Sequence, residues 1–109
     1  MENISFEDFK KIDLRIAKIL EVKKVEESHK LLKIKVSVGE DVERNVVSGV
    51  AEYYTPEELI GKEVVIVFNL EPKTIFGIES CGMLLFSKKE NKLVALIPEE
   101  EINPGSIIS

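Results

Sequence analysis

The sequence contains no tryptophan, one cysteine (Cys81) and one histidine (His29). A lone cysteine excludes an intramolecular disulfide framework. One Cys and one His also fall short of a structural zinc site, and they do not form the Cys/His pairing of nucleophilic catalysis. No apolar run approaches the ~20 residues that cross a bilayer. The first residues lack the charged, apolar, small-residue layout of a secretion signal. The expected location is therefore the cytoplasm, with no membrane partner. Acidic side chains are abundant, but no motif joins them to a nucleophile, a metal or a phosphate loop. Gly77-Ile78-Glu79-Ser80-Cys81-Gly82 lacks the Gly-x-Ser-x-Gly spacing of a nucleophile elbow. Catalysis, a cofactor and a metal are all unexpected.

The chain is 109 residues long and 44% hydrophobic, enough for one free-standing domain with a real core over 1–109. The net charge of −5 argues at first against a nucleic-acid partner. It is unevenly spread, however: Lys10 to Lys35 carries nine basic residues against four acids, a local +5. A polyanion responds to such a local field more than to the total, although a charge run is also the ordinary make-up of a solvated face.

Periodicity supplies the order of elements. Ser5-Phe6-Glu7-Asp8 opens a short helix with a Ser cap. Residues 13–25 keep roughly to a period of two, and their length predicts a strand that bends as a sheet closes. Leu32, Ile34, Val36 and Val38 alternate with Lys33, Lys35 and Ser37, the pattern of a half-buried strand. A third strand is expected from Glu43 to Gly49. Thr55-Pro56-Glu57-Glu58 starts a second capped helix that Gly61 ends. Val64 to Leu70 reads as an apolar central strand. Met83 to Phe86 is expected to be the fifth, with a turn over Lys88 to Lys92 and a hairpin return over Leu93 to Ile97. Three strands, a short helix and two more strands give an all-β fold: a five-stranded Greek-key OB-fold barrel with the helix between strands three and four. The N-terminal helix and the C-terminal hairpin extension are additions. Their apolar residues Phe6, Phe9, Leu93, Ile107 and Ile108 need cover, which a homodimer would supply.

The segment Asn69-Leu70-Glu71-Pro72-Lys73 and, after Gly77, Ser80-Cys81-Gly82-Met83-Leu84-Leu85 resembles the signature of the tRNA-binding domain family. Asp13-Leu14-Arg15-Ile16, Ser48-Gly49, Tyr54-Thr55-Pro56-Glu57-Glu58-Leu59 and Gly61 resemble its other blocks at matching spacing, over nearly the whole chain. That family includes the C-terminal domain of methionyl-tRNA synthetase, endothelial monocyte-activating polypeptide II and free-standing tRNA-binding proteins. The resemblance implies binding to the shape and backbone of tRNA without chemistry, alone or as an accessory to an aminoacyl-tRNA synthetase. It also implies a homodimer.

The candidate RNA-binding residues are Lys30, Lys33, Lys35, Arg44, Asn69, Lys73, Ser80 and Met83. Lysines neutralise phosphates, Asn and Ser supply short polar contacts, and Met offers an adaptable apolar surface for a base. Strands two and three of this barrel commonly form its ligand face. Each candidate also has a structural reading. Asn69 suits a turn, Lys33 and Lys35 a solvated strand face, Ser80 with Gly82 tight packing near a bulge, and Met83 the core.

Three departures from the family pattern fall at the presumed binding loops. Glu26 to Leu31 is shorter than usual, Glu71 stands where a basic residue is frequent, and Phe76 stands where Arg is frequent. Lost positive charge with a gained aromatic keeps a second class open: a chaperone or protein-interaction module of the same family, with Phe76 and Met83 in a peptide groove.

Overall fold

The computed structural model describes residues 1–109. Its elements run α1 (Phe6–Phe9), β1 (Leu14–Lys24), β2 (Leu32–Ser37), β3 (Glu43–Ser48), α2 (Pro56–Leu59), β4 (Glu63–Val67), β5 (Lys73–Ile75), β6 (Ile78–Ser80), β7 (Met83–Leu84), β8 (Phe86–Lys89) and β9 (Lys92–Ala95). The main sheet has the order β3-β2-β1-β4-β7, antiparallel throughout. A nearly closed five-stranded barrel results, with α2 between its third and fourth strands.

The long first strand is what closes the barrel. Residues 14–18 pair with β4, while residues 18–24 pair with β2. A register shift between Ile19 and Glu21 lies where the strand passes from one neighbour to the other, and a bulge of this kind bends a strand and sharpens its twist. The gap between β3 and the β6–β7 stretch is spanned by two hydrogen bonds. The Cys81 N–H donates to the Asn45 carbonyl at 2.8 Å, and the Val47 N–H donates to Ser80 Oγ at 2.9 Å.

Strict alternation on β2 sends Leu32, Ile34 and Val36 into the core. There they meet Ala17, Ile19, Val22, Val46, Leu59, Val64, Ile66 and Leu84. Leu59 is the one buried residue of α2 and joins this core. Helix α2 starts where the sequence predicts, with Pro56 in its first turn and the Thr55 N–H donating to Glu58 Oε1 at 2.8 Å. That bond holds the Glu58 carboxyl below the usual carboxylate range. A depressed folded-state pKa gives stability that is present above the unfolded value of ~4.3 and is lost as pH falls through the folded one. Glu58→Gln is therefore expected to lower the midpoint of thermal unfolding at pH 7. The gap from wild type should narrow as pH falls below the unfolded value of ~4.3 and close only below the depressed folded-state value, where both side chains are neutral.

Several boundaries differ from the expected ones. Strand β4 stops at Val67 rather than Leu70, because the chain turns at Phe68-Asn69. It lies inside the sheet between β1 and β7, and β1 holds the middle position. The hairpin return pairs β9 with β8, with its turn at Glu90-Asn91, and β8 starts three residues later than the expected strand Met83 to Phe86. Leu93 needs no external cover, since it packs against the core, and Tyr54 ties the same hairpin down by accepting the Ala95 N–H. The tail also has a role not evident in the sequence. It runs along the otherwise free flank of β1, with Gly105 N–H donating to the Ile16 carbonyl at 2.7 Å and Ile108 N–H to the Leu14 carbonyl at 2.9 Å.

Candidate nucleic-acid interface

The outward face of β1, β2 and β3 follows from register. Lys23 is paired with Lys33 and Lys33 with Val47. In the next row Glu21 is paired with Lys35 and Lys35 with Asn45. Because β2 buries its even-numbered apolar residues, these partners all point away from the core.

The two rows differ in charge. Lys35 Nζ lies 3.0 Å from Glu21 Oε2, and the pair lowers the Glu21 pKa and raises that of Lys35. Lys23 and Lys33 form no ion pair. Like charges directly opposite one another destabilise a sheet, so this pair is an electrostatic cost that a bound anion would relieve. Lys33 also lies at the junction of three adjoining hollows. One of about 110 Å³ holds Glu21, Lys23, Lys35 and Asn45. A second, of about 470 Å³, is walled by Arg44, Asn45, Glu79 and Cys81. A third, of about 260 Å³, is roofed by Phe76 and Ile78.

Strands β5 and β6 form a hairpin over this groove, which the sequence did not announce. Its two-residue turn is Phe76-Gly77, with φ of 47° and 75°. Positive φ at both central residues is the geometry of a type I′ hairpin turn, where Asn-Gly or Gly-Gly is usual. Phe76 is 58% exposed there. A large aromatic in left-handed backbone, facing water, satisfies neither backbone preference nor burial.

The other candidates divide. Lys30 and Lys73 are exposed and outside the ion pairs, as is Lys24. Met83 is half exposed on β7. Asn69 has its side chain committed within the protein: Oδ1 accepts the Asp13 N–H at 2.9 Å and Nδ2 donates to the Lys11 carbonyl at 2.6 Å. The amide thus clamps the loop after β4 to the entry of β1. Ser80 is 5% exposed, and its hydroxyl is the acceptor that helps close the barrel. Arg44 shares the inward side of β3, opposite buried Val36, and stacks on Phe68 at 4.6 Å, with Arg15 on the same ring at 4.2 Å. Arg15 is held by Asp13 through two contacts of 2.9 Å, whereas Arg44 Nε is buried without a partner. Asn45 Oδ1 is the other buried, unpartnered polar atom. Gly82 has φ of 116°, and a Cβ there would sit 2.9 Å from the Val67 carbonyl oxygen, so the motif glycine serves strand packing. Asn69→Ala is expected to destabilise the fold by about 1–2 kcal/mol, from two lost hydrogen bonds, measured by urea unfolding.

Lys23 and Asn45 were not singled out in the sequence. The signal for both is cross-strand register, which becomes readable only once the bulge in β1 is known.

The family model described as "Putative tRNA binding domain" matches residues 14–107. The chain is 50% identical over 109 residues to a methionine–tRNA ligase of Caldanaerobacter subterraneus subsp. tengcongensis, covering 100% of this chain and 17% of that protein. It is 50% identical over 105 residues to the methionine–tRNA ligase of Archaeoglobus fulgidus, covering 96% of this chain and 16% of that one. The chain therefore spans about a sixth of the length of these relatives. Among solved structures, a MetRS-related protein from Pyrococcus horikoshii superposes with a TM-score of 0.93 at 34% identity, covering 100% of both chains. The chaperone CsaA from Bacillus anthracis superposes with a TM-score of 0.90 at 29% identity, covering 99% of this chain and 100% of that one.

Proposed function

This chain belongs to the tRNA-binding domain family, and we propose that it holds tRNA against the outward face of β1, β2 and β3, beneath the β5–β6 hairpin. The observation that carries this placement is the facing pair Lys23 and Lys33, in no ion pair, at the centre of a groove whose acids are Glu21, already paired with Lys35, and Glu26 and Glu27 at one end. Lys24, Lys30 and Lys73 extend the positive field around it, each able to meet a backbone phosphate. Arg44, Asn69 and Ser80 support this surface from within, and Met83 offers an apolar contact at its border. The role is binding without a chemical step, performed alone or beside an aminoacyl-tRNA synthetase of the methionyl type, in the cytoplasm. No helix is long and apolar enough to cross a membrane.

A homodimer accompanies this function. Phe6 is 68% and Ile107 78% exposed, on segments that flank the start of β1. Two such segments brought together from two copies would remove this apolar surface from water. Sedimentation equilibrium at micromolar concentration should give about twice the monomer mass of 12.3 kDa.

The placement is tested by titrating tRNA into isotope-labelled protein and following backbone amide resonances. Residues 21–24, 30–35, 43–47 and 73–80 should shift or broaden first. Changes confined to α2 and the 97–102 segment would refute it. One observation favours a second reading, a protein-interaction module: the likeness to the chaperone CsaA, together with exposed Phe76. Unfolded peptide binding at the hairpin with little dependence on salt would support it.

A further inference from the structure

We infer that the groove takes one unpaired, unstacked nucleotide, its base resting on Phe76 and its edge read by Asn45. This inference rests on the tRNA-binding reading and specifies what within the RNA the site recognises. Two unexplained features lie on the same groove. The first is Phe76, an exposed aromatic kept in left-handed backbone at the tip of a two-residue turn, above Lys23, Lys24 and Lys33. Every base has a π-face, so an aromatic on a basic groove is the usual platform for single-stranded nucleic acid. The second is Asn45, which points outward between the two hollows that share Lys33 and whose Oδ1 has no partner. Rotation of an Asn terminal amide is broad in energy, so the carboxamide turns readily toward the groove. An amide oxygen seeking a donor fits the exocyclic amino group of adenine, cytosine or guanine, and uracil has none. Lys23 and Lys33 stand where the flanking phosphate of such a nucleotide would lie, whereas a base inside a helix would be stacked away from Phe76.

Cys81 serves as a built-in reporter, since it is the only cysteine and lines the same hollow as Asn45. Burial, with Glu79 beside it, raises its thiol pKa, so alkylation is slow but measurable at alkaline pH.

The experiment measures fluorescence anisotropy of labelled oligo(A), oligo(C) and oligo(U) of equal length with the full chain, alongside unfractionated tRNA. Iodoacetamide labelling of Cys81 is followed with and without tRNA. Oligo(A) and oligo(C) should bind several-fold more tightly than oligo(U), Asn45→Ala should erase that difference, and tRNA should slow Cys81 labelling. Phe76→Gly relieves the backbone strain, so it should melt no lower than wild type while binding every oligonucleotide at least about fivefold more weakly. Phe76→Tyr should retain binding. The inference is overturned, with tRNA binding intact, if tRNA binds in a salt-dependent way while Cys81 labelling is unprotected and the oligonucleotides bind alike. If tRNA itself fails to bind, the tRNA-binding reading falls and this inference falls with it.

Discussion

Lys33→Glu is expected to weaken tRNA binding by roughly tenfold to a hundredfold, the loss of a charge-assisted contact worth about 1.5–3 kcal/mol. The same substitution should raise the stability of the free protein by a few tenths of a kcal/mol, because it turns the repulsive cross-strand pair with Lys23 into an attractive one. Opposite signs on stability and binding separate a functional lysine from a structural one. Lys18→Glu is the matched control: it changes net charge equally, but Lys18 lies against Glu63 and the 99–101 acids, away from the groove. Equal weakening by both variants would mean that tRNA senses only the overall charge.

Gly105→Ala is expected to cost about 2–4 kcal/mol, a large share of the 5–15 kcal/mol that holds a typical domain together. Gly105 has φ of 90°, and a Cβ there would run into the Val38 carbonyl. Across the contact, Gly39 has φ of 85°, and a Cβ there would strike the Pro104 carbonyl. The two glycines are thus what lets the tail approach the end of β2 and pair with β1. Loss of that approach should lower the melting temperature by roughly 10 °C or more and release the Ile16 and Ile108 amides to hydrogen exchange. Gly61→Ala provides the reference, since Gly61 has φ of 89° with open space around it and would incur the backbone penalty alone, about 1 kcal/mol. If Gly105→Ala is no worse than Gly61→Ala, the tail is not clamped in this way.

The elements that sequence periodicity made readable are those whose neighbours are local. The alternation of β2 and the Thr55-Pro56-Glu58 start of α2 depend on residues within one strand or one turn, and both stand where expected. The β5–β6 hairpin was hidden, because Phe-Gly is not a recognised type I′ pair and three-residue strands are too short to show a period. What Asn69 and Ser80 hold together was hidden for another reason. Their partners lie 56 to 58 residues away for Asn69 and 33 for Ser80. Local patterns do not reveal whether a polar side chain faces a ligand or another part of the chain. In the same way, the basic window of 10–35 concealed a division. Lys10, Lys11, Arg15 and Lys35 are each paired with an acid and Lys18 stands among Glu63 and the 99–101 acids, leaving Lys23, Lys24, Lys30 and Lys33 for a partner.

The most direct measurement is the affinity of the full chain for unfractionated tRNA across a series of salt concentrations. If Lys23, Lys24, Lys30, Lys33 and Lys73 meet phosphates, log K should fall linearly with log[salt], with a slope of roughly −3.5 to −4.5. Lys33→Glu should make that slope shallower by about one. Absence of binding at low salt, or binding that ignores salt and the Lys33 substitution alike, would contradict the account.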